Sequence, residues 1–119
     1  MRIDRKSPPR RFRVGRDAAV EMSDCGTIRL EPDEQVTFVT PDGAEYDVAR
    51  KEWGFYATPS LEGRLPEHGL RPLLVRNAAG RSYVLLVERG REAALRRYLE
   101  AEAMRILRWL DEDPEADGA

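Results

Sequence analysis

GREAALRRYLEAEAMRILRWLDEDP, residues 90–114, is where the hydrophobic period of the chain changes. Leu95, Leu99, Ala103, Ile106 and Leu110 fall at i, i+4, i+8, i+11 and i+15, a single stripe on a 3.6-residue helix. Tyr98, Leu107 and Trp109 widen that stripe, Gly90 marks an entry and Pro114 a stop. Glu92 stands four residues before Arg96, the favoured order for a helical ion pair. The spacing therefore predicts one long C-terminal helix. With strand-like patterns before it, the expected fold class is α+β: a curved antiparallel sheet of two hairpins plus neighbouring strands, covered by that helix.

The strand patterns lie upstream. Ala18–Met22 alternates weakly and Thr27–Leu30 more clearly, with a turn at Glu31–Glu34. Gln35–Thr40 is rich in β-branched residues, and Glu45–Arg50 returns with period two, Tyr46 and Val48 on one face. Pro41-Asp42-Gly43 between them fixes a turn, proline setting φ and glycine accepting the positive φ that follows. A second hairpin joins Leu70–Arg76 to Arg81–Glu88 across Asn77–Gly80. Leu73-Leu74-Val75 and Val84–Val87 scarcely alternate, which places the pair in the middle of the sheet or covers both its faces.

Composition bounds the rest. A chain of 119 residues is one domain. The expected organisation is a basic flexible arm at 1–17, an α+β domain at 18–111 and an acidic disordered tail at 112–119. Residues 1–16 carry seven bases against Asp4 alone, whereas Asp111–Asp117 carries five acids and no base. The arm suits phosphate contacts, but a net charge of −2 argues against a dedicated nucleic-acid binder. No apolar run is long enough to span a membrane, and the charged, proline-bearing N-terminus does not read as a signal peptide. A cytoplasmic monomer or homodimer is expected.

Catalytic signatures are sparse. One histidine and one cysteine cannot supply a four-ligand structural zinc site, and there is no phosphate-binding glycine loop or nucleophile elbow. No metal or cofactor is expected. Cys25 beside Gly26 reads as a small filler rather than a nucleophile. Glu52 and Glu62 flank the aromatics, with no spacing that fixes them as an acid–base pair. The best site candidate is EWGFYATPSLEGRL, residues 52–65, where Trp53 and Tyr56 stand near Thr58, Ser60 and Arg64. Aromatic faces stack on sugars, and an arginine forks onto anions. His68, in the following loop, joins them as a ligand contact or general base. Against this, a small domain needs its aromatics inside, so Trp53 and Phe55 are also expected as core, with Thr58 and Ser60 satisfying loop backbone groups.

Residues 52–65, with RPLLVRN at 71–77, GRSYVLLVERG at 80–90 and RWLD at 108–111, resemble a family of small bacterial proteins without assigned activity. Some of these are encoded among genes for surface-polysaccharide or sialic-acid-like sugar synthesis. The resemblance covers 35–111 and carries no catalytic residue. It implies a context: a non-catalytic binding or accessory module for an anionic small molecule such as a sugar or nucleotide-sugar, or for a partner enzyme. The alternatives are a small enzyme acting on a sugar, with His68 or a loop carboxylate as base, and an electrostatic nucleic-acid binder acting through the basic arm.

Overall fold

A computed structural model describes residues 1–112. It contains eight strands, β1 (Arg2–Val14), β2 (Val20–Arg29), β3 (Gln35–Val39), β4 (Glu45–Lys51), β5 (Gly54–Tyr56), β6 (Leu70–Asn77), β7 (Ser82–Glu88) and β8 (Met104–Trp109). A 3-10 turn (Arg16–Ala18), a helical turn, α1 (Arg64–Glu67), and a helix, α2 (Glu92–Ala101), complete it. The strands form three antiparallel sheets, β1-β2, β3-β4-β5 and β7-β6-β8.

This corrects the expected α+β class. Strand accounts for 53% of the structure and helix for 15%, so the fold is mainly β, with no long C-terminal helix among the described residues. The stripe that predicted one breaks at Glu102-Ala103, where Ala103 adopts φ 53° and its N–H reaches the Glu100 carbonyl. That left-handed stop is usually made by glycine or asparagine, and an alanine gives no warning of it. Beyond it β8 pairs with β6, with a bulge that leaves Leu107 unmatched between Ile106↔Val75 and Arg108↔Leu74. The bulge spaces the inward side chains Met104, Ile106 and Trp109 by two and then three residues, which imitates a helical period.

The hairpins follow expectation. Thr40 and Ala44 close the first across Asp42-Gly43, with Gly43 at φ 92°, and Phe38 stacks on Tyr46 at 5.2 Å. In the second, β6 is the central strand, which explains its unalternating run. Leu73, Val75, Val87 and Leu99 form one core, with α2 laid over that sheet through Leu95 and Leu99. A second core of Ala44, Leu65 and Leu70 lies at the seam between the sheets, flanked by Tyr46, Leu61 and Leu86. There the Glu45 N–H bonds the His68 carbonyl, and Gly69 turns the chain at φ 91°, a left-handed conformation that glycine adopts without strain. Arg71 stacks on Trp109 at 4.0 Å and bridges to Asp111 at 2.8 Å, tying β8 to the central strand.

Residues 2–14, set apart in the sequence as a basic arm, pair with 20–29 as a long ribbon. Lys6–Pro9 stand opposite Cys25 alone, because the register jumps between Arg5↔Gly26 and Arg10↔Asp24. Of the acidic tail expected over 112–119, all beyond Glu112 lies outside the described residues.

Candidate functional site

The segment from β5 to α1 reverses over a short span, and Leu65 is its anchor. Leu65 is fully buried in the seam core. Its N–H bonds the Ser60 carbonyl at 3.0 Å, while the Arg64 N–H bonds Ser60 Oγ at 2.7 Å. These bonds aim the Arg64 side chain across the sheet at β4, where it meets Asp47 at 2.9 Å. Asp47 is held from its other side by Thr37, whose hydroxyl donates at 2.7 Å. The guanidinium remains largely exposed while the carboxylate is mostly covered, with 58% and 14% of each side chain accessible.

An open pocket of 240 Å³ lies here, lined by Gln35, Asp47, Ala49, Tyr56, Pro59, Ser60 and Arg64. It contains one ring, one anion, one cation and two uncharged polar side chains. That set can hold a small hydroxyl-bearing molecule: Asp47 accepts, Arg64 and Gln35 donate, and the Tyr56 ring offers an apolar face.

Of the six site residues expected from sequence, the structure brings three into this pocket: Tyr56, Ser60 and Arg64. Trp53 and Thr58 do not line it, and neither do Glu52 and Glu62. Trp53 and Phe55 are not core, as a small domain led one to expect. They are 72% and 61% exposed, because β5 is a three-residue edge strand with nothing packed over it. The backbone role expected for Ser60 is present in its bond to Arg64. His68 faces a separate groove lined by Asp42, Glu67, Glu88 and Arg91, with Glu45 at 3.4 Å from its Nδ1. Arg71 is committed to Asp111, and Tyr83 lines a third groove beside Arg16 and Glu102.

Sequence reasoning missed Asp47 and Gln35. Their signal was present: Thr37 and Asp47 are directly paired across the first hairpin, as are Gln35 and Ala49. What it lacked was the knowledge that the 57–63 reversal returns over that strand face. Among the described residues no three His, Cys, Asp or Glu side chains cluster to hold a metal ion, and no helix is long and apolar enough to cross a membrane.

No protein-family model, curated protein or solved structure matches the chain. The site therefore has to be argued from its own chemistry.

Proposed function

We propose that the chain is a non-catalytic binding module whose pocket at Tyr56, Ser60 and Arg64 takes the sugar portion of a small ligand, such as an anionic sugar or nucleotide-sugar. The observation that supports this is the Asp47–Arg64 pair beside the exposed Tyr56 ring. A carboxylate facing the arginine weakens the pocket for a bare anion and suits it to hydroxyls, which accept from one partner and donate to the other. The 240 Å³ volume is below the ~300 Å³ at which drug-sized sites begin, which limits the occupant to one sugar ring at a time. An enzyme reading gains nothing from the geometry, since His68 faces another groove.

A thermal-shift screen against neutral monosaccharides, sugar phosphates, nucleotide-sugars and inorganic anions tests this. A ligand at a hundred times its Kd stabilises the fold by about 2.7 kcal/mol. The expected result is a shift with sugars that disappears in Arg64→Ala and in Tyr56→Ala. A shift with inorganic anions alone, or one that survives Arg64→Ala, refutes the sugar site. A blank also refutes it, and leaves the exposed Trp53 and Phe55 as the contact for a protein partner.

A further inference from the structure

β7 is an edge strand, and its outer side is open. The Asn77 N–H bonds the Arg81 carbonyl across the second hairpin, so Tyr83, Leu85 and Val87 turn their backbone groups towards β6. Ser82, Val84 and Leu86 alternate with them and turn theirs outward, where among the described residues no main-chain group bonds them. These N–H and C=O groups recur every second residue, about 6.8 Å apart, a spacing that another extended backbone matches. Beside this edge runs α2. Leu85 and Leu86 point to opposite faces of the sheet, so the apolar groove of 390 Å³ that they line with Ala94, Leu95 and Tyr98 lies at the open side of β7. Val84 and Tyr98 remain 58% and 44% exposed there.

The other edges of the two body sheets are poorer templates. β5 has three residues, and β8 carries Arg105, Arg108 and a bulge. β3 is open along Gln35, Thr37 and Val39, but it has five residues and no helix packs along it. β7 has seven residues, pairs with β6 without a bulge, and contains no proline, no glycine and no charge from Ser82 to Val87. Proteins that need such an edge to stay unpaired place a lysine, a proline or a bulge on it. β7 has none of these.

The edge is complementary to itself. Turned about a two-fold axis through Val84, a second β7 runs antiparallel to the first, with Val84 opposite Val84 and Ser82 opposite Leu86. Each of these pairs exchanges both of its N–H···O bonds, so every outward group from Ser82 to Leu86 finds a partner. Between them Tyr83 stands opposite Leu85 on the face that α2 covers, an apolar cross-strand pair made once on each side of the axis. No like charges oppose one another along the contact. The same rotation keeps both helices on one face and brings the Ala94–Tyr98 side of each to the junction, so the two grooves close on one another. We propose that two copies of this chain associate edge to edge through β7, joining their three-stranded sheets into one continuous sheet with both α2 helices over the junction. The contact is isologous and uses the same edge of each copy, so it stops at the dimer.

Sedimentation velocity on the full chain between about 1 and 100 µM reads the association, and the expected species is a dimer. Hydrogen exchange followed by NMR is expected to slow at the Val84 and Leu86 amides as the dimer fills, because in a monomer both face solvent. Val84→Lys sets two ammonium groups side by side on the axis and is expected to weaken dimerisation about tenfold or more, and Val84→Glu likewise. Mixed in equal amounts, the two variants are expected to regain a dimer, since the axis then pairs a lysine with a glutamate. Neither should alter circular dichroism, because Val84 is 58% exposed and belongs to neither core. Val39→Lys, on the open edge of β3 and 61% exposed in the wild type, is the control and should leave the dimer unchanged. A dimer that survives Val84→Lys, or one that Val39→Lys dissociates, would overturn the proposal, as would a mixture that stays monomeric. A monomeric wild type at the highest concentration would overturn it too, and would leave the β7 edge to an extended peptide of another protein.

Discussion

Leu65→Ala removes a side chain with no solvent exposure from the seam between the two body sheets. Truncating a fully buried leucine costs 2–5 kcal/mol, the transfer of its methyl groups plus the cavity left behind. Leu65 sits among Ala44, Leu70 and the half-buried Leu61, Tyr46 and Leu86. Ala44 is too small to fill the gap and Leu70 is fixed in a strand, so about 3 kcal/mol is expected. Unfolding entropy of ~2.1 cal/mol/K per residue converts this over 119 residues to a fall in Tm of about 12 °C. The same loss should loosen Arg64, whose neighbour is the anchor, and weaken any ligand held with it. Trp53→Ala is the control. The larger side chain is 72% exposed and should cost less than ~0.5 kcal/mol. Urea denaturation of both variants reads the difference directly. A loss below 1 kcal/mol for Leu65→Ala, or above 2 kcal/mol for Trp53→Ala, would refute the placement of the core.

Arg71→Ala leaves Asp111, only 11% of whose side chain is accessible, without its partner and frees Trp109. A loss of about 2 kcal/mol is expected by denaturant titration, with little rescue by Arg71→Lys, which lacks the planar fork and the stacking face. Ala103→Gly relieves a left-handed backbone conformation and should stabilise the chain by about 1 kcal/mol in the same assay, whereas a helix running through residue 103 would be destabilised by it. The hydrogen bond from Lys6, helped by the Gly26 N–H, holds the Asp24 carboxyl below its ordinary range. That contribution to folding is present above the ordinary carboxylate pKa and is lost as pH falls through the depressed one. In a carbon-detected NMR titration, Lys6→Ala should move the Asp24 transition upward towards the ordinary value.

Local chemistry explains what was readable. Asp42-Gly43 between two alternating runs, and the apolar pair 70–76 and 81–88, specify hairpins because turn geometry and side-chain period act within a few residues. The Glu31–Glu34 turn is likewise local, closed by the Glu34 N–H on the Glu31 carbonyl. The helical period over Glu92–Ala101 was legible, but the long helix read from it was not formed, since Met104–Trp109 is a strand. Tyr56, Ser60 and Arg64 were visible as a polar and aromatic cluster on one loop.

The remainder depended on contacts between distant parts of the chain. Met104–Trp109 carries both a helical and a bulged-strand period, and the open edge of β6 decides between them by offering backbone partners. Ser7-Pro8-Pro9 reads as a break in any strand, yet the ribbon accommodates it as a bulge opposite Cys25. Asp47 joins the site only because the 57–63 reversal folds back over β4. The sequence by itself thus determined the turns, the periods and the chemistry of the central loop, all set within a few residues. Which strand claimed residues 104–109, which aromatics stayed outside, and which carboxylate met Arg64 were decided by the tertiary structure, because burial and edge pairing are properties of neighbours far apart along the chain.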